Sequence, residues 1–156
     1  MPEAAGLAVR AATPADLGAI RDIELAAFEP SRRSSTRSLR RTLRSPFQRV
    51  QVAELEARVA GFVIVWPYRH TWRIYNLATD PRWRNRGVAG TLLGAVEREA
   101  RGRGARRLVL ESQPGGALER FYQQRGFRVA ERLRDYYAAG LDAVRMELML
   151  QSPLTA

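Results

Sequence analysis

Apolar positions along the chain switch between a period of two and a helical period, and the switches mark out its elements. Leu7–Ala11 reads as a short first strand. Thr13-Pro14-Ala15-Asp16 then supplies a capping hydroxyl, a proline for the first helical position and an acid for the first turn. Leu17, Ile20, Ile23, Ala27 and Phe28 continue that helix at helical spacing. A second helix is predicted over Ser35–Leu43, with Leu39 and Leu43 inward and arginines outside. Val50–Leu55 and Val59–Trp66, joined by a tight turn near Glu56-Ala57-Arg58, predict an antiparallel hairpin. The run Gly61–Trp66 is apolar on both faces, so its strand is predicted to be central.

Arg73–Thr79 reads as the next strand, stopped by Asp80-Pro81. A basic loop, Arg82–Gly87, leads into a helix over Val88–Arg101 with Leu92, Leu93 and Val96 as its inward stripe. Gly102 and Gly104 close it. Arg107–Glu111 predicts a strand, Pro114-Gly115-Gly116 a turn, and Ala117–Gln124 a short helix ending at Gly126. Phe127–Arg132 and Val144–Leu150 predict a closing pair of strands, with Val144, Met146, Leu148 and Leu150 alternating inward. The order β-α-α-β-β-β-α-β-α-β-β predicts an α/β (α+β) fold, a mixed sheet with helices on its faces. No repeat or linker interrupts it, so residues 1–156 read as one domain.

Composition narrows the chemistry. At 46% hydrophobic over 156 residues the chain carries enough apolar mass for one core. No apolar run approaches the roughly 20 residues of a membrane span, and the N-terminus lacks a secretory pattern, so a cytoplasmic location is expected. The absence of cysteine removes disulfides and thiolate nucleophiles, and His70 is the sole histidine, so no metal is expected. His70 itself reads as a solvated loop residue. All 26 basic residues are arginine against 16 acids, a net charge of +10 that favours anionic ligands. Residues 32–49 hold seven arginines and no acid. Arg33, Arg37, Arg40, Arg41 and Arg44 fall on one helix side, either a solvated face or a surface that steers an acidic protein or ribosomal RNA. Trp66, Trp72 and Trp83 read as packing groups, and without a nucleic-acid motif no dedicated nucleic-acid site is expected.

The strongest local signal is Arg84-Asn85-Arg86-Gly87-Val88-Ala89-Gly90-Thr91, between a strand and a helix. Its small residues admit a ligand close to the backbone, and the helix's first turn offers unpaired N–H groups to a phosphate. Tight packing of loop on strand explains the same residues. The segment is neither a Walker loop nor a Gly-x-Gly-x-x-Gly dinucleotide fingerprint.

This segment resembles the acetyl-CoA motif of the GNAT superfamily, Arg/Gln-x-x-Gly-x-Gly/Ala. Leu77-Ala78-Thr79-Asp80-Pro81 resembles that superfamily's preceding strand, and Phe121-Tyr122-Gln123-Gln124-Arg125-Gly126-Phe127 its Tyr-x-x-x-Gly-Phe. The resemblance runs from about Val9 to Leu150. The C-terminal half is most similar to the ribosomal-protein N-terminal alanine acetyltransferases, through Leu110-Glu111, Tyr122, Arg132-Leu133-Arg134-Asp135-Tyr136-Tyr137 and Asp142-Ala143. Against that family, Ser112–Gly116 lacks the usual asparagine and is about one residue short, and Leu141 replaces an acid.

The resemblance implies a sheet of six to seven strands with about four helices, two central parallel strands splaying apart. Acetyl-CoA would be the cosubstrate, held by Leu77, Ala78, Thr79 and the segment Arg84–Thr91, its pantetheine arm along Leu77–Thr79 and its pyrophosphate on backbone N–H groups of Arg86–Thr91. A backbone N–H near Leu77 would polarise the thioester, an effect of about 3–4 kcal/mol. Glu111 is the implied base and Tyr122 the implied proton donor, while Tyr136 and Tyr137, in the loop before the last strand, would line the acceptor cleft. Read from the residues alone, Glu111 is a carboxylate paired with an arginine and Tyr122 a core tyrosine. The acceptor would be a protein N-terminus, with the enzyme a monomer or homodimer. A small-molecule amine acceptor, or a non-catalytic acyl-CoA sensor, are the alternatives.

Overall fold

The computed structural model describes residues 6–150. The strands are β1 (Leu7–Ala11), β2 (Arg49–Leu55), β3 (Arg58–Tyr68), β4 (Thr71–Thr79), β5 (Arg107–Ser112), β6 (Arg128–Ala138) and β7 (Leu141–Met149). The helices are α1 (Leu17–Ala27), α2 (Thr36–Arg44), α3 (Val88–Gly102) and α4 (Gly116–Gln124). The strands form a seven-stranded sheet in the order β1-β2-β3-β4-β5-β7-β6. Only β4 and β5 pair in parallel; the other pairings are antiparallel. The mixed sheet and the order of helices and strands are those the hydrophobic pattern predicts.

Apolar alternation divides the core in two. On one face Leu92, Leu93 and Val96 of α3 and Tyr122 of α4 pack on Val63, Ile74, Leu110 and Met146. On the other, Ile20 and Ile23 of α1 and Leu39 of α2 pack on Val52, Phe62 and Ile64. Residues 60–65 of β3 serve both clusters, which is why that strand is apolar on both sides. The second cluster stops at β4, so on that face the β5–β7 half of the sheet keeps its polar side chains.

Local chemistry explains the ends. Thr13 opens a 3₁₀ turn, Pro14–Asp16, rather than α1 itself; Asp16 accepts from the Thr13 N–H at 2.7 Å. Ser35 lies just outside α2 and caps it, its hydroxyl accepting from the Ser38 N–H at 3.0 Å. Arg33 departs from the expected α2 face: its guanidinium donates to the Phe28 and Leu25 carbonyls at 2.8 and 2.9 Å, at the end of α1. Arg37, Arg40, Arg41 and Arg44 do stand exposed on α2.

The expected loop around Tyr136 and Tyr137 is corrected. Both belong to β6, which runs to Ala138 and turns directly into β7. The β6–β7 register breaks between Leu133 and Ala138, so the tyrosines occupy a stretch of strand without ladder partners. Asp135, at φ 54°, sits in that break; its N–H donates to Asp142 and its carboxylate accepts from the Gly140 N–H. Trp72 is buried as expected, but Trp66 is largely exposed and stacks on Tyr75 at 6.0 Å.

Candidate functional site

The site begins where two parallel strands part. β4 and β5 pair from Thr71↔Arg107 to Ile74↔Leu110 and no further. On its other side β4 skips one residue against β3: Val65 pairs Ile74 and Ile64 pairs Asn76, which leaves Tyr75 as a bulge. Beyond the bulge, Leu77, Ala78 and Thr79 stay paired with Val63, Phe62 and Gly61. Their edge towards β5 has no strand partner among the described residues. The polar backbone of that edge is therefore available to an amide-bearing ligand.

Past Thr79 the chain is held by Asp80. Its carboxylate accepts from the Arg82 N–H at 2.9 Å and pairs with the Arg82 guanidinium at 2.8 Å, which holds it below the usual carboxylate range. Arg82 is thereby committed to the loop's own structure, while Arg84 and Arg86 remain exposed and Arg86 lies 5.4 Å from the Trp83 ring. Asn85 and Gly87 both take left-handed backbone, and Gly87 precedes α3 without a side chain to cap it. The N–H groups of Val88, Ala89 and Gly90 are thus the open end of the helix. Close approach also explains Gly61: a Cβ there would lie 2.6 Å from Val88 and 2.7 Å from the Ala78 carbonyl.

These elements enclose a cavity of ≈ 490 Å³. Leu77, Ala78, Thr79, Arg84, Asn85, Gly87, Val88, Ala89 and Gly90 line it together with Trp83, Phe28, Arg32, Phe121 and Tyr122. Of the expected cofactor residues only Arg86 and Thr91 lie off its wall. The buried indole N–H of Trp83 has no partner among the described residues. An unpaired strand edge, an uncapped helix start and an orphaned donor suit a ligand with amides and phosphates, and acetyl-CoA fits this donor set.

Tyr122 lies in the cavity wall, its ring edge-on to Phe121 and Phe127 at 5.3 and 5.5 Å. Burial pushes its hydroxyl well above the ordinary tyrosine value; Tyr137 adds to that and Arg32 opposes it. It stays protonated at any working pH. Glu111 is the first β5 residue after the last parallel pair, on the sheet face opposite α3 and α4 rather than in the cavity wall. Its carboxylate accepts from Arg73 at 2.5 and 2.6 Å and from Arg145 at 2.9 Å. This is the arginine pairing that the composition anticipates. Tyr136 stands near this ion cluster and feels Glu111, Arg73 and Arg145, and burial raises its hydroxyl and that of Tyr137.

Sequence reasoning missed Arg32 and the Tyr75 bulge. Arg32 has no spacing that sets it apart from the other arginines, and a bulge leaves no mark on a strand of ordinary pattern.

The family model of the acetyltransferase (GNAT) family matches residues 17–127. No curated protein matches the chain. Among solved structures, the fold is similar to the ribosomal-protein-S18-alanine N-acetyltransferase from Escherichia coli, at TM-score 0.84 and 23% identity over 93% of this chain and 94% of that one. A nourseothricin acetyltransferase is similar at TM-score 0.75 and 25% identity, covering 94% and 99%. A GNAT family acetyltransferase from Elizabethkingia anophelis, with acetyl-CoA bound, superposes at TM-score 0.72 and 19% identity, covering 94% and 99%.

Proposed function

The chain belongs to the GNAT acetyltransferase family, and from that premise we propose that it transfers acetyl from acetyl-CoA to the N-terminal α-amine of a protein, such as a ribosomal protein. The observation that carries the reading is the opening beyond Ile74 and Leu110, with Tyr122 on the cavity wall and Glu111, Arg73 and Arg145 on the opposite sheet face. An acceptor chain reaches such an opening end-on. The similarity to a ribosomal-protein alanine acetyltransferase supports the acceptor class. A cytoplasmic location, where acetyl-CoA and new N-termini meet, goes with the reading; among the described residues no helix is long and apolar enough to cross a membrane.

In this mechanism the edge of Leu77–Thr79 pairs with the donor's amide-bearing arm, and the open N–H groups at Val88–Gly90 take its phosphates, with Arg84 and Arg86 adding charge. A backbone N–H near Leu77 polarises the thioester carbonyl, worth about 3–4 kcal/mol. The neutral amine nitrogen bonds to the carbonyl carbon, the carbon–sulfur bond breaks, and the sulfur leaves with the electron pair. Tyr122 donates a hydrogen bond to that sulfur. Its raised hydroxyl value opposes giving the proton up fully, because a free thiol titrates at about 8.5.

The proton lost by the amine passes through water to Glu111. The demand is modest: at pH 7 deprotonation costs about 1.4 kcal/mol for an α-amine against about 4.6 for a lysine side chain. Tyr136 and Tyr137 border the acceptor's path. The test offers acetyl-CoA with peptides bearing free Ala, Ser or Met N-termini and a matched set with blocked N-termini and internal lysines, with products read by mass spectrometry. Acetylation confined to free α-amines is expected. Label on lysine alone, or on small amines alone as for an antibiotic acetyltransferase, overturns the acceptor assignment.

A further inference from the structure

Arg32 ends the 3₁₀ turn Pro30–Arg32 that joins α1 to α2. Its guanidinium carbon lies 4.9 Å from the Phe28 ring centroid and 5.1 Å from that of Tyr137. The side chain thereby ties the α1–α2 connection to the unpaired stretch of β6. It also lines the cavity that holds Tyr122.

The charge of this group is unmatched. Arg10, Arg73, Arg82, Arg107 and Arg145 each pair with a carboxylate. Among the described residues Arg32 has neither a carboxylate nor a hydrogen-bond partner, although it is half-buried. A cation–ring contact takes none of the guanidinium's N–H hydrogens into a hydrogen bond, and their fork fits a carboxylate.

We propose that Arg32 selects the acceptor, its guanidinium edge binding a carboxylate that the acceptor carries a few bonds from its reacting amine. The inference rests on the acetyl-transfer reading above and sharpens its substrate class. A carboxylate there meets an unpaired cation in a partly desolvated wall, where a charged hydrogen bond is stronger than in water. Two sources carry this chemistry: an acidic side chain at the second position of a protein N-terminus, or the α-carboxylate of a free amino acid.

The experiment compares kcat/KM for peptides beginning Ala-Asp, Ala-Ser and Ala-Lys, and for alanine against alanine amide, with the unaltered protein, Arg32→Gln and Arg32→Glu. The unaltered protein should favour the carboxylate-bearing member of a pair by about tenfold. Preference within the peptides assigns the acidic N-terminus; preference for alanine over its amide assigns the free amino acid. Arg32→Gln should bring the ratio to about one, and Arg32→Glu should favour Ala-Lys. Turnover of all peptides without charge preference, or an acidic preference unchanged in both variants, overturns the inference and leaves the acetyl-transfer reading standing. No turnover of any acceptor overturns both. Should one variant fail to fold, the other decides, and an unaltered protein without charge preference overturns the inference by itself.

Discussion

Ile74 and Leu110 are the last two residues across which β4 and β5 pair. Their successors, Tyr75 and Glu111, stand on either side of the resulting opening, one a bulge against β3 and the other a carboxylate between two arginines. A parallel pair that ended later would close the gap on which the proposed chemistry depends.

Tyr122→Phe keeps the ring that packs on Phe121 and Phe127 and removes only the hydroxyl. Turnover should fall roughly 10- to 100-fold with little change in the KM for acetyl-CoA, the loss expected for one hydrogen bond to a charged group. Because burial raises the hydroxyl, the unaltered protein should show no decline in kcat from tyrosine ionisation up to about pH 10. Steady-state kinetics over pH checks both.

Glu111→Gln separates proton transfer from architecture. If Glu111 accepts the amine's proton, kcat/KM should fall about 10- to 100-fold at pH 7 and recover towards pH 9, where the α-amine deprotonates unaided. A loss that stays constant across that range assigns Glu111 to tying β4 and β7 together through Arg73 and Arg145. Thermal melting of the variant reports that second role separately.

Gly61→Ala tests the close approach of α3. The added methyl would lie 2.6 Å from Val88 Cγ1 and 2.7 Å from the Ala78 carbonyl oxygen, so helix or strand must move. Stability should fall by about 1–3 kcal/mol. Acetyl-CoA affinity should weaken with it, since Val88 begins the helix end proposed to take the phosphates. Denaturant titration and calorimetry measure the two losses.

Asp16 carries a pH dependence. Its carboxylate accepts from both Arg10 Nη atoms at 2.8 Å and from the Thr13 N–H at 2.7 Å; the Arg10 bond is the larger cause of its lowered titration. A depressed carboxyl contributes stability in full above its unfolded value near 3.8, and loses it as pH falls through the lower folded value. Arg10 is 41% exposed, so Asp16→Asn should cost only about 1–2 kcal/mol at pH 7. That difference should shrink as the pH falls below 3.8, which denaturant titration at pH 7 and pH 3 would reveal.

The sequence by itself determined the elements and much of the candidate site. The alternations of β2 to β4, the stripe of α3 and the glycine-bearing turn before it are local properties, written by side-chain polarity at a period of two or 3.6 and by backbone freedom at Gly87. Leu77–Thr79, most of Arg84–Thr91 and Tyr122 therefore come together in the structure as their motifs imply. Tertiary structure decided what depends on distant strands. The gap after Ile74 arises from register against β3 and β5, and the extension of β6 through Tyr136 and Tyr137 arises from pairing with β7. The partners of Glu111 come from β4 and β7, 38 and 34 positions away. Arg32 is singled out only by lying between Phe28 and Tyr137 with no carboxylate partner among the described residues, because which arginines are paired is a property of three-dimensional neighbours rather than of spacing along a chain.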